Sequence, residues 1–288
     1  MTGRRTESEA GEPLIGEPAG SEPAGSGLAG SGLAGSGPAG SGPAIGGAER
    51  LVSGGRPRRI VLAITGASGA PYAVRLLQVL RRTDVEVHLT ISPSGAAVLR
   101  QEMELSLDLR RPDLNALLHC VPAWSTVPAE ETASVPLLTP GQAGASETGS
   151  AAGDGRLRYH QYDDYMTPIA SGSFVTDAMV ICPCSGSTLS GVARAAASNL
   201  IQRAAEVHLK EHRRLVIVPR ETPMSVLQIE NLQRLAAAGA VVLPAMPGWY
   251  HPITRLEDLV DFVVARILDQ IGVDNGLIRR WGEEESGS

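Results

Sequence analysis

The segment RIVLAITGASGAPYAVRLLQVL, Arg59–Leu80, decides the fold. Its first part, Arg59–Thr65, is an apolar run without polar alternation, as expected of a strand covered on both faces. Gly66 ends the run. Ala70–Leu80 then carries Val74, Leu77 and Leu80 on one helical stripe. The same unit recurs downstream. Val85–Ile91 and Ala178–Cys182 are further strands, each closed by a turn of small residues. Helices are predicted over Thr188–Ala197 and Leu200–Glu211, and Leu215–Val218 is the fourth strand. The next helix is expected to open with Thr222 as cap and Pro223 at its first position, and to stop at Gly239. AVVLP, Ala240–Pro244, gives a fifth strand. The last helix is expected to open at Thr254 with a capping box to Glu257. Strand–helix alternation with apolar strands predicts an α/β fold, a doubly wound parallel sheet between helical layers.

Composition agrees. Hydrophobic residues make up 43% of the 288-residue chain but aromatics only 3%, so the core must be built from Ala, Val, Leu and Ile. A net charge of −6 without a lysine-rich run argues against nucleic-acid binding. No segment is long and apolar enough to suggest a membrane span, and no apolar stretch follows the early arginines, so no secretory signal is expected. Cys120, Cys182 and Cys184 cannot all pair within one chain, and Cys182-Pro183-Cys184 lacks the spacing of a redox or zinc motif. Reduced thiols in a cytoplasmic protein are the expectation.

Three segments stand outside the pattern. Residues 1–57 contain a five-residue near-repeat (SEPAG, SGLAG, SGLAG, SGPAG, SGPAI) that cannot bury enough surface to order itself. Residues 122–156 form a low-complexity insertion in the domain expected over 58–281, and 282–288 are expected to be a flexible end.

In a doubly wound sheet, ligands bind beyond the carboxyl ends of the strands. Gly66-Ala67-Ser68-Gly69, Ser92-Pro93-Ser94-Gly95 and Ser185-Gly186-Ser187-Thr188 are small, hydroxyl-bearing turns at such ends, and each could offer N–H groups to an anion. Taken singly, each is equally well a tight turn or a helix cap; together they suggest a mononucleotide. Arg220-Glu221 ends the fourth strand, where the arginine suits a phosphate and the glutamate proton transfer, unless the two form a local ion pair. Arg203 and Lys210, the latter the one lysine in the chain, share a helical face that could equally be solvated charge. Arg266 lies in the apolar DFVVARILD and would want a partner for its charge.

At these residues the chain resembles the UbiX family of flavin prenyltransferases. The resemblance runs from about Arg58 to Trp281 through TGASGAPYAVRLL, IASGSF, MVICPCSGSTLSGVA, NLIQRAAEVHLKEHRRLVIVPRETPMS, LPAMPGWYHP, LVDFVVARILDQIG and RW. It implies a Rossmann-like, flavodoxin-type three-layer sandwich assembled into homo-oligomers, typically dodecamers. It implies transfer of the dimethylallyl group of dimethylallyl monophosphate to N5 and C6 of reduced FMN without a metal, the prenylated FMN serving UbiD-type decarboxylases. By the same resemblance Gly66, Ala67, Ser68, Ser92, Ser185, Gly186, Ser187 and Thr188 hold FMN, and Arg220 touches both flavin and phosphate. Ser171, Arg203, Lys210, Tyr250 and Arg266 form the prenyl-phosphate pocket, partly across a subunit interface, and Glu221 handles protons. Ser171, Lys210, Arg220 and Glu221 are thus the catalytic candidates, with two anions expected side by side at one edge of the sheet. Pro93 departs from the basic residue that many relatives carry there.

Two rivals are weaker. A flavin-dependent cysteine-type decarboxylase would need a histidine base and an Asn-bearing clamp, where this chain has IASGSF; His88 and His160 are expected to be surface or structural residues. A mere FMN carrier would not need Glu221, Lys210 and Tyr250 together.

Overall fold

The computed structural model describes residues 56–125, 156–250 and 253–280. Residues 1–55 of the expected tail, 126–155 of the expected insertion and the expected end 282–288 lie outside the described residues. β1 is Arg58–Ile64, β2 Val85–Ile91, β3 Leu157–His160, β4 Ala178–Cys184, β5 Arg214–Pro219 and β6 Val241–Val242. The helices are α1 Ala70–Leu80, α2 Pro93–Met103, α3 Leu114–His119, α4 Gly186–Ala193, α5 Leu200–Lys210, α6 Val226–Ala237 and α7 Leu256–Gln270.

All strand pairs are parallel, in the order β3-β2-β1-β4-β5-β6. The chain winds outward from β1 through β2 to β3, then returns past β1 to build the other half. Ile60 through Ile64 have no exposed surface, because successive side chains of β1 feed two cores. Ile60, Leu62 and Ile64 join α1 and α7, while Val61 and Ala63 join α4 and α5. This is the expected doubly wound sandwich.

Four local expectations need correction. β3, α2 and α3 were not foreseen, and AVVLP supplies the sixth strand, only Val241–Val242 of it paired. The helix after β5 begins at Val226, not at Pro223: Ser225 caps it, its side chain accepting from Gln228 N while Gln228 Oε1 accepts from Ser225 N. Two first-turn donors are satisfied by that reciprocal pair, which Thr222 could not provide. At α7, Asp258 rather than Glu257 closes the entry, Oδ2 accepting from Thr254 N, Thr254 Oγ1 and Arg255 N. Glu257 accepts instead from Ser125 Oγ at 2.6 Å. Ser225→Ala is therefore expected to cost about 1 kcal/mol in urea unfolding, with Thr222→Ala close to neutral.

Candidate functional site

The order reverses between β1 and β4, and the turns leaving these two strands flank the resulting crevice. They are stitched together: Thr65 Oγ1 donates to Pro183 O at 2.7 Å and accepts from Ser185 N at 2.8 Å. Gly66 cannot be larger, because a Cβ there would lie 2.3 Å from that of Ser94 in the first turn of α2. Ser92, buried, caps α2 by accepting from Gly95 N at 2.9 Å. Ser185 caps α4, and its hydroxyl lies 3.2 Å from that of Ser187 and 3.1 Å from that of Thr188.

The turn before α1 is less open to an anion than expected. Gly69 N and Ala70 N both donate to Glu102 Oε2, at 2.9 and 2.8 Å. A carboxylate already occupies the positive end of that helix, so Gly69 N and Ala70 N are not open to an anion. Nothing near Gly69 in sequence signals Glu102, which arrives from the last turn of α2.

Arg220 reaches across the end of β4, its Nε donating to Ser68 O at 3.2 Å. Its terminal guanidinium nitrogens have no hydrogen-bond partner among the described residues. The weighed ion pair with Glu221 does not form. Glu221 turns away, Oε2 accepting from Gln228 Nε2 at 3.1 Å and Oε1 from Thr222 N at 3.3 Å. Leu189, Met224 and Leu232 give the small cleft beside Arg220, Glu221 and Gln228 an apolar wall. Half-buried unspent guanidinium donors, three clustered hydroxyls and glycine-dependent close packing fit a phosphate-bearing planar cofactor such as FMN.

Ser171, Arg203 and Lys210 come together, but elsewhere. Arg203 Nε donates to Ala170 O at 3.1 Å, Ser171 Oγ is 2.9 Å from Ser173 Oγ, and Lys210 pairs with Glu211. A Cβ on Gly172 would lie 2.9 Å from Lys210 Nζ. This group leads into β4 and β5, whereas Arg220 leaves β5. A strand of that length separates the two ends by about 20 Å. Within a single chain the two groups therefore lie at opposite ends of β5 rather than side by side at one edge. The reason is topological: a helix that feeds a parallel strand ends at the strand's amino edge.

Tyr250 and Arg266 form a third group around Phe262. Tyr250 meets that ring edge-on, centroids 5.6 Å apart, and Phe262 and Arg266 border a cleft along β6. Arg266 is exposed rather than set in apolar surroundings, and donates to Asp269 Oδ2 at 2.8 Å. A further cleft, between α1, α7 and Val121–Ser125, contains none of the expected residues.

His88 and His160 are not at the surface. Their buried rings stack, with Nδ1 and Nε2 2.8 Å apart. All three cysteines are free, and burial pushes the Cys184 thiol up to about 12, far from a reactive thiolate. Among the described residues no helix is long and apolar enough to cross a membrane.

The family model described as Flavoprotein matches residues 52–268. The flavin prenyltransferase UbiX of Halalkalibacterium halodurans is 43% identical over 223 residues, 77% of this chain and 93% of that protein. The flavin prenyltransferase UbiX of Pseudomonas aeruginosa is 46% identical over 228 residues, covering 79% and 96%. Among solved structures, AnUbiX in complex with FMN and dimethylallyl pyrophosphate has a TM-score of 0.61 at 33% identity, covering 80% of this chain and all of that one. A dodecameric FMN-dependent UbiX-like decarboxylase from Escherichia coli O157:H7 has a TM-score of 0.57 at 34% identity, covering 78% and 100%.

Proposed function

The chain belongs to the Flavoprotein family and to its flavin prenyltransferase UbiX members, and from that premise we infer that it is a transferase that prenylates FMN. In its own geometry the reading is carried by Arg220, whose guanidinium ties the turns of β1 and β5 together and keeps its terminal donors unspent. The decarboxylase and carrier alternatives are not favoured, since relatives this similar over nearly their whole length are flavin prenyltransferases.

Dimethylallyl monophosphate is the proposed donor. Bound reduced FMN supplies the nucleophilic ring positions to which the dimethylallyl group is joined. Ser92, the Ser185–Thr188 turn, Gly66, Ala67, Ser68 and Arg220 would hold it. Arg203, Lys210 and Ser171 stabilise the departing phosphate, a task that fixed cations perform well where water is excluded. The compact ammonium of Lys210 suits one phosphate oxygen as a point charge. Glu221, its Oε2 steadied by Gln228, takes up on Oε1 the proton released as the second bond closes. Because Lys210 and Glu221 lie at opposite ends of β5, a working pocket combines the Ser171–Arg203–Lys210 group of one copy with the Arg220–Glu221 edge of another. Tyr250 and Arg266 would join them there. A homo-dodecamer meets that need, and the separation within one chain supports it. A UbiD-type decarboxylase as recipient and a cytoplasmic location belong to the same proposal.

The test is anaerobic incubation with reduced FMN and dimethylallyl monophosphate, then mass spectrometry of the bound flavin, with the diphosphate as a parallel arm. A prenyl adduct supports the reading, and unmodified FMN at full occupancy opposes it. Lys210→Ala is expected to raise KM for the donor about 10- to 100-fold, the worth of one charge-assisted contact, while FMN affinity stays within twofold.

A further inference from the structure

We propose that Arg213 is a positioning residue for the prenyl-phosphate pocket: its guanidinium clamps the 172–176 turn against α5 and so sets Ser171 relative to Lys210. The inference rests on the function proposed above and goes beyond it to a residue that touches neither substrate.

Arg213 lies between α5 and β5, three residues after Lys210. Its Nη1 donates to Phe174 O at 2.9 Å and to Thr176 Oγ1 at 3.4 Å, and its Nη2 donates to Gly172 O. Alternate residues of one turn are thus held by one rigid fork. A lysine could not reproduce this, since an ammonium presents donors from a single point. The far end of the clamp is anchored as well. His208 Nδ1 lies 2.7 Å from Ala204 O, and a carbonyl can only accept, so that nitrogen carries the proton. Nε2 must then accept from Thr176 Oγ1, 2.9 Å away. Thr176 therefore donates to α5 and accepts from Arg213, and the two contacts fix its hydroxyl in one orientation. On the other side the Phe174 ring lies under the Arg59 guanidinium, 4.5 Å from centroid to carbon, and meets His88 edge-on.

The turn so held passes very close to the Lys210–Glu211 ion pair. A Cβ at Gly172 would come within 2.2 Å of Glu211 Oε1 and 2.9 Å of Lys210 Nζ. The ammonium of Lys210, half exposed and paired with Glu211, thus lies against the backbone of this turn. Displacing an electrostatic donor by about 1 Å can cost orders of magnitude in turnover or binding.

The experiment measures steady-state kinetics and FMN affinity of Arg213→Ala, Arg213→Lys and Gly172→Ala in the full-length enzyme. Arg213→Ala is expected to raise KM for dimethylallyl monophosphate about 10-fold or more, with kcat less affected and FMN affinity within twofold. Arg213→Lys should recover only part of that loss. Gly172→Ala displaces the same pair without touching the clamp, so it reports even if Arg213→Ala folds poorly, and it should raise KM likewise. Lys210→Ala is run alongside. If it raises KM while KM in Arg213→Ala and Gly172→Ala stays within twofold of the parent, the positioning role is overturned. If Lys210→Ala itself has no effect, the phosphate pocket is misplaced and the function assigned to it fails first.

Discussion

Glu221→Gln is expected to slow prenyl-adduct formation by about 10²- to 10⁴-fold, the usual worth of a positioned general acid or base. The substitution is nearly isosteric, and its amide oxygen can still accept from Gln228 Nε2, as Glu221 Oε2 does at 3.1 Å. The cap of α6 is untouched, because Ser225 and Gln228 form it between themselves. FMN should remain bound, since none of its expected partners is Glu221. A single-turnover assay with reduced FMN bound in advance, quenched and weighed, separates the effects: occupancy unchanged, adduct rate collapsed. A rate within tenfold of the parent would remove Glu221 from proton transfer and leave the released phosphate as the base. Because Glu221 and Arg220 form no ion pair, neutralising the glutamate does not free the arginine, and the readout belongs to the carboxylate alone.

What the sequence disclosed follows physical lines. β2 and α1 were legible to the residue and β1 to within one, because the apolar run of β1 reports burial on two faces, while Val85, Val87, Leu89 and Ile91 of β2 and the Val74–Leu77–Leu80 stripe each mark one apolar face. β3 was not, since Leu157–His160 is four residues of alternating character on the sheet's edge, following a low-complexity run. α2 starts with Pro93, Ser94 and Gly95, which look like a turn until Ser92 is seen capping them. The hydroxyl-rich turns at the crevice were legible because the chemistry of such turns is local. Glu102 was missed because its partnership with Gly69 and Ala70 is not local. The opposite placement of Lys210 and Arg220 was available in principle: the lysine precedes a parallel strand and the arginine follows it. Their charges alone suggest one pocket; their positions along β5 add that only separate copies of the chain could bring them into it.

The second large effect concerns acid. Lowering the pH from 7 to 4 is expected to remove several kcal/mol of stability, and the buried histidines are the cause. Burial pushes His88 down to about 4, and the neighbouring His160, Arg158 and Arg59 add to this against an opposing pull from Glu86. Burial likewise pushes His208 down to about 4, with Arg213 contributing, and His160 is lowered too, chiefly by burial. In the unfolded chain these imidazoles protonate near pH 6.5. Below that pH the unfolded state binds protons that the folded state refuses, so stability is complete above about pH 6.5 and drains as the pH falls towards 4. Each of the two strongly shifted groups is worth at most about 3 kcal/mol at the lower end, against a total of about 5–15 kcal/mol for a typical domain. Glu86 extends the loss below pH 4. Burial alone would raise its carboxyl, but hydrogen bonds from Arg59 and Arg158 outweigh that and hold it low, so its contribution disappears only when it is protonated. Urea midpoints should therefore fall clearly between pH 7 and pH 5. The fall should shrink in His208→Gln, which cannot charge yet can still accept from Thr176. Equal midpoints at the two pH values would mean that these rings accept protons in place. The stacked pair beside Arg59 and the ring behind Thr176 would then be free to titrate while the turn bearing Ser171 stays seated.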